Sequence, residues 1–514
     1  MKTAQGLSIT YRDRFLLSSR YPVQNCQKIL KTLPKEDFTL YLIPSPLFAY
    51  GLEEWSETWG KNNHGLIIEL ESELKTFIPP TLSPHFTILE TLDNKTLGDF
   101  FKKNPKEKFK KVRMVSISGG LDLHLSEYEN LRDLLELEVK LFWQNKSTLM
   151  VMGPLYLKNI FENLKALPSP KTIPVLSGTP LLLGAGESTE YLIPQIKAQR
   201  KNLYLVAVDT VLPVMRDAGI TPDAVVVLEA QIYNLEDFVG IPWDEIHLWA
   251  DLTAHPGTFR LPWKSQNVFL SDFAPLGLLQ RIKALGIPCI PPRGSVGVAA
   301  LELCLSLFSG PVGIIGLDFA FTPGKTHAKG APALSCLLRK SNRLVSLETS
   351  PISQALPLPS SVNHQVTTPA LKQYGHLARE ICAASHRVKD LRPGGLDMGV
   401  NKSTWEDFLK KGNEYYGSQK PSSVLKNNSP IPQEKITSFR ENERTILETL
   451  WQDFEALNQG KTPTDFMDHL LQADYLYVNF PDSGLPHWEP GFLSRVKASL
   501  AFYWRRLKTE EPKR

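Results

Sequence analysis

The sequence predicts an α/β protein: a Rossmann-like, doubly wound parallel sheet in a central domain, a smaller α/β domain before it and a helical region after it. Three observations carry this prediction. Short apolar runs alternate with helix-compatible stretches through most of the chain. Gly and Pro punctuate those runs where turns are needed. A Ser/Asn/Pro stretch from Lys420 to Gln433 then separates this pattern from purely helical ones.

A chain of 514 residues is too long for one typical domain. The expected divisions are residues 1–150, an N-terminal Rossmann-like α/β domain; 151–400, the central domain; and 401–514, the helical region. In the first, strand-like runs occur at Phe38–Ile43, Gly65–Leu70, Phe86–Leu89 and Val112–Ile117. Helical pattern from Glu127 to Leu167 leads into the second. There TPLLLGAGEST reads as strand, Gly-rich turn and helix start. LYLVAVD is a strand, and TVLPVMRDAG a helix closed by Gly219. DAVVVLEA, IHLWADL and NVFLSDF are further strands. Pro275–Leu285 and Val296–Phe308 are helices around a short strand at Pro288–Ile290, and VGIIGLDFAF closes the series. Ser335–Pro369 is Pro-rich and reads as a long loop, either a lid or a free connection. Helical patterns follow at Glu434–Leu457, Thr464–Ala473 and Phe492–Lys508. The last mixes aromatic and basic residues, so it packs on the body of the protein or lies on a membrane surface.

Composition excludes several classes. Net charge is +4, from 58 basic and 54 acidic residues, which is too balanced for nucleic acid as the main partner. Cys26, Cys289, Cys304, Cys336 and Cys382 are scattered and show no zinc or disulfide spacing. That favours a reducing compartment. The N-terminus shows no apolar signal region. The apolar run Val296–Phe321 is interrupted by Glu302, Pro311 and Asp318. A cytoplasmic protein without a transmembrane segment is the expectation.

Ligands of a doubly wound sheet bind beyond the carboxyl ends of its strands. Gly184, Gly186 and Ser188 stand there, opening a helix whose free N–H groups suit phosphate; a plain tight turn is the competing reading. Glu187 would set a carboxylate beside that phosphate, which needs a compensating cation. Asp209 with Thr210, then Glu229, Asp251, Asp272 and Asp318, end successive strands, and Asp223 precedes one. Singly such acids cap helices; together they suit ribose hydroxyls, a base edge or Mg²⁺. Gly294 and Ser295 form a second candidate anion nest, or an ordinary helix cap. Thr326 and His327 follow Asp318 on a loop, where His327 is a possible acid or base or a plain surface residue.

The blocks GAGES, AVDTVLPVMRDAGITPDAVVVLE and GSVGVAALELCLSLFSGPVGIIGLDFAFTPGKTHAKG, in that order and spacing, resemble the domain shared by MptE-like 6-hydroxymethylpterin diphosphokinases and motility accessory factor (Maf) flagellin glycosyltransferases. The resemblance spans about Leu155 to Met398. The N-terminal stretch through DFTLYLIPSPLFAYGLEEW is similar to the first domain of the long Maf-type members, with Pro44-Ser45-Pro46 in place of a Gly-rich turn. Asp209, Pro222, Asp223, Gly294, Ser295, Asp318, Thr326 and His327 match the family pattern; Glu187, Thr189 and Glu229 depart from it.

The resemblance implies three functions. The leading one is transfer of a nonulosonic, sialic-acid-like sugar from a CMP-sugar donor to Ser or Thr of a flagellin-like protein, with no cofactor required. His327 and Asp318 would be catalytic. Gly184, Gly186, Ser188, Asp209, Thr210, Asp223, Glu229, Gly294, Ser295 and Thr326 would hold the nucleotide. The second is pyrophosphoryl transfer from ATP to a pterin alcohol, with Asp209, Asp223 and Asp318 as Mg²⁺ ligands. The third is a non-catalytic assembly scaffold.

Overall fold

In the computed structural model the described residues are 1–3, 5–91, 93–166, 178–344, 346, 356–357, 364–417, 431–482 and 486–508. They fall into two compact units, Met1–Val151 and Met152–Arg514.

The first unit starts with two short hairpins; in the second of them, Arg12 and Asp13 take positive φ at the turn. Helix α1 (Pro22–Thr32) follows. The sheet is built from β1 (Thr39–Pro44), β2 (His64–Ile68), β3 (Phe86–Leu89) and β4 (Lys111–Met114), all near the predicted runs. Their order is β3-β2-β1-β4, all parallel. The chain winds outward from β1 to β3 and returns to the other flank of β1 as β4. Helix α2 (Leu125–Ala166) begins in this unit, where Tyr128, Leu131, Leu135 and Val139 are buried.

The second unit holds β5 (Thr179–Leu183), β6 (Leu203–Val208), β7 (Ala224–Val227), β8 (His247–Asp251), β9 (Ser265–Ser271), β10 (Cys289–Ile290), β11 (Val312–Ile315) and β12 (Val388–Asp390). The order is β10-β9-β8-β7-β6-β5-β11-β12, again parallel throughout. Every residue of β5–β8 and of β11 is buried. A parallel sheet covered on both faces requires this, and it explains why these strands read as continuous apolar runs. Helix α3 (Val296–Leu307) carries the chain from β10 back across to β11. The winding direction therefore reverses between β5 and β11, and the loops leaving those two strands face each other.

Several elements were not predicted, among them one edge strand, one long helix and the helix Trp405–Tyr416. Strand β12, VKD in sequence, is too short and polar to show alternation. Helix α4 (Pro369–Ser385) begins where the predicted loop ends and is capped by Thr368, whose Oγ1 accepts from Leu371 N. The start of that loop is helical too, at Pro332–Lys340. Within its Pro-rich centre Leu356–Pro357 pairs antiparallel with Val366–Thr367; the rest of that centre up to residue 363, and most of the Lys420–Gln433 stretch, lie outside the described residues. After β5 the chain forms a 3₁₀ turn, Glu187–Leu192, before a short α-helix, rather than a helix from the start.

The C-terminal helices α5 (Gln433–Asn458) and α6 (Pro490–Lys508) pack within the second unit. Phe492, Val496, Leu500, Tyr503 and Leu507 form one buried stripe on α6. Packing thus accounts for its apolar face, and no described helix is long and apolar enough to cross a membrane. A buried ion pair joins α5 to the α/β part: Arg281 grips Glu443, whose side chain is 0% exposed, at 2.5 and 3.0 Å. Arg281→Met would leave that carboxylate buried without its cation. The expected loss is about 3–5 kcal/mol, read from urea denaturation.

Candidate functional site

The loops after β5 and β11 are drawn together by a backbone stitch. Gly184 N donates to Ile315 O and Gly186 N to Gly316 O, both at 2.8 Å. This approach leaves no space for side chains. A Cβ on Gly184, Gly186 or Gly316 would come within 3.0 Å of the opposite loop, and Gly316 sits at φ +76°. Ser188 completes the stitch. Its N and Oγ donate to the two carboxylate oxygens of Asp318, at 3.0 and 2.5 Å, while Gly316 N donates back to its Oγ at 2.9 Å.

Asp318 is 2% exposed. Burial raises its pKa, and the Ser188 donors and the charge of Arg392 oppose that. Its backbone is held as firmly as its side chain. Leu396 N donates to Asp318 O at 2.8 Å, and Arg392 Nη1 donates to Leu317 O at 2.6 Å. Arg392 is itself fully buried, with Nε and Nη2 on the two oxygens of Asp390 at 2.9 and 2.8 Å. Each oxygen of the expected catalytic carboxylate thus accepts from Ser188. Arg392 and Asp390, beyond the sequence motifs, are its supports.

Glu187 does not face an open phosphate site. Its carboxylate accepts from Thr322 Oγ1 at 2.7 Å and from Gln365 Nε2. Glu190, one turn further, accepts from Lys325 Nζ at 3.0 Å and Lys329 N at 2.7 Å. With Ala328 N donating to Ala185 O at 2.8 Å, these bonds pin the loop carrying Thr326 and His327 to the glycine turn. Nδ1 of His327 lies 3.1 Å from Thr326 Oγ1. The ring is partly buried, and desolvation lowers its pKa, so it is neutral at pH 7.

The start of α3 lacks a side-chain cap. Ser295 occupies its N-cap position without making a side-chain cap bond, so the first N–H groups keep their donors. Gly294, at φ +65°, packs against Tyr374, and Gly297 against Leu317 of the β11 loop. The neighbouring Arg293 is engaged by Glu302.

The strand-end carboxylates do not converge as a set. Asp209 accepts from Thr210 N (2.8 Å), Thr210 Oγ1 (3.2 Å) and Asn234 Nδ2 (2.9 Å). The same amide bonds Asp237 at 3.0 Å. Burial pushes Asp209 up to about 6; burial, then the charge of Asp209, pushes Asp237 up to about 7. Asp237 and Asn234 gave no sequence signal, because the turn that brings them in is irregular. Glu229 is exposed and caps Gln231 N. Asp223 stands at the opposite, N-terminal end of β7, paired with Arg200 and bonded to Leu205 N; it leaves the proposed site. Asp251 closes the ends of β8 and β9 through Thr253 N and Ser271 N, and Asp272 pairs with Lys283. Asn159 and Asn163 of α2 donate to the carbonyls of Ala230, Thr253, Leu252 and Ala254, covering the strand ends there. The Mg²⁺ set expected from Asp209, Asp223 and Asp318 is not assembled. Among the described residues the group with metal-like spacing is the surface trio Asp482, His487 and Glu489.

Comparison with known proteins places this geometry. Residues 156–324 match the family described as 6-hydroxymethylpterin diphosphokinase MptE-like. An uncharacterized protein of Treponema pallidum (strain Nichols) is 27% identical over 546 aligned positions, covering 99% of this chain and 94% of its own. A second uncharacterized protein of that organism is 29% identical over 157 residues, 28% of this chain and 40% of its own. The solved Maf glycosyltransferase of Magnetospirillum magneticum AMB-1 shares the fold over 98% of this chain and 92% of that one, with TM-score 0.57 and 13% identity.

Two outcomes test the site's construction. Gly316→Ala combines a positive φ with a Cβ driven into Thr189 and Gly184; a loss of about 3 kcal/mol or more is expected in chemical denaturation. Asp237→Asn probes the buried acids. The folded carboxyl keeps its proton up to about pH 7, whereas the unfolded one loses it near 3.8, so its contribution to stability falls as pH rises through that window. The variant should gain more than about 1 kcal/mol over the parent at pH 8, with the gain shrinking towards pH 4, as read from denaturant midpoints.

Proposed function

From an MptE-like segment set on the fold of a Maf glycosyltransferase, we propose that this chain is a glycosyltransferase. It moves a nonulosonic sugar from a CMP-sugar donor to a Ser or Thr hydroxyl of a flagellin-like protein. The observation that carries this reading is the uncapped start of α3 beside the β5–β11 switch point, with neutral His327 held nearby by the glycine turn. The α3 N–H groups, with Gly294 and Ser295, receive the donor phosphate. His327 takes the proton of the acceptor hydroxyl, which a neutral imidazole can do at pH 7. Thr326 orients the ring. The Ser188–Asp318 stitch fixes both loops, so catalysis rests on orientation and on stabilising the departing phosphate.

Pyrophosphoryl transfer from ATP draws less support. It needs carboxylates converging on Mg²⁺, whereas Asp223 lies at the N-terminal end of its strand and Asp318 is engaged by Ser188. Calorimetry with CMP and with ATP plus Mg²⁺ separates the two readings. CMP binding is expected, weakened about five- to tenfold in Ser295→Ala. His327→Ala should bind CMP normally yet lose about 10²–10⁴ in transfer rate. Binding of ATP·Mg²⁺ but not CMP would instead establish the pyrophosphoryl reading. Loss of neither binding nor cellular phenotype in both variants would point to a scaffold.

A further inference from the structure

The N-terminal unit has its own reversal of winding, between β1 and β4, and a cavity of about 370 Å³ opens beside the loop leaving β4. That volume lies within the usual range of small-molecule sites, about 300–1,000 Å³. We infer that this cavity is a second ligand site and that it takes a neutral, pyranose-sized polyol rather than a nucleotide.

The place where a nucleotide phosphate would rest is already filled. Ser45, at φ +44° in the turn after β1, donates through Oγ to the buried Glu69 at 2.5 Å, and its carbonyl accepts from Ser118 Oγ at 2.5 Å. A Cβ on Gly120 would strike Ser45 Oγ. The N–H groups that could form an anion nest are spent as well: Gly119 N on Leu16 O at 2.7 Å and Gly120 N on Ser118 Oγ at 3.0 Å. No Lys, Arg, His, Asp or Glu lines the cavity. A phosphate or carboxylate ligand would thus be desolvated without a counter-charge, which is costly.

The lining suits an uncharged amphipathic ring instead. Ser18, Ser19, Ser116 and Asn25 supply hydroxyl and amide groups, and the Ser19 and Asn25 side chains make no recorded hydrogen bond among the described residues. Leu16, Leu17, Ile29 and Ile117 form an apolar side, and Phe15 stands at the rim, 55% exposed. A pyranose has the matching character, with hydroxyls around its edge and C–H faces for an aromatic ring. The polar groups here are neutral and the cavity is open, so affinity near the millimolar range is expected.

Saturation-transfer NMR on the full chain tests this with methyl α-glucopyranoside, methyl N-acetyl-β-glucosaminide and glucose 1-phosphate as probes. Transfer to at least one neutral pyranoside is expected, with little to the phosphate. Ser19→Trp, which fills the cavity, should abolish it at an unchanged melting temperature. If that variant melts lower, Asn25→Ala, at an exposed position, serves in its place and should weaken transfer. Three results would overturn the inference: no transfer to either pyranoside, equal transfer in parent and variant, or preference for glucose 1-phosphate.

Discussion

The close approach of the β5 and β11 loops is the constraint on which the central unit depends. Two parallel strands that are neighbours in the sheet but distant in the chain, joined only through the long excursion β6 to β10, must end in loops that touch. Three glycines make that possible, since any Cβ would part them. Ser188 and Asp318 then turn contact into a bonded joint. In a low-dielectric setting such a joint is strong because every acceptor is met; half-satisfied, it would be a liability. Arg392 and Asp390 extend the same logic outward, so that the edge strand β12 braces the switch point from behind.

That joint changes what the conserved-looking chemistry means. Glycines, a serine and an aspartate that resemble a phosphate site serve first to hold two loops together. The start of α3 keeps its first N–H groups without a side-chain cap, and Glu190 and the Ala185–Ala328 bond pin the His327 loop to the joint. Glu187, which repels phosphate if read along the chain, is hydrogen-bonded by Thr322 and Gln365. The two sheets also part company here. In the N-terminal unit the equivalent loops are joined by Ser45 and Ser118, and the cavity is lined by residues 116–119 of the β4 loop.

Much of the fold was legible in sequence because buried parallel strands need apolar residues on both faces. LYLVAVD and VGIIGLD declare themselves for that reason. The same signal fails for β12, where three residues at an edge carry Lys and Asp, and for α4, which follows a long polar stretch. The site was less legible than the fold. Asp209, Asp318 and Glu229 all read as strand-end carboxylates, yet one is buried beside Asp237, one is consumed by Ser188 and one is exposed. Asp223, which opens the strand pattern DAVVVLEA, is at the other end of the strand altogether.

The sequence by itself determined the parallel α/β architecture, the strands that show as apolar runs, the helical tail and the family resemblance, because these rest on periodicity and local residue chemistry. Only the tertiary structure decided which polar groups remain free. Whether a carboxylate or an N–H is spent depends on partners that lie, as with Ser188 and Asp318, 130 residues apart in the chain, and no local pattern records such a meeting.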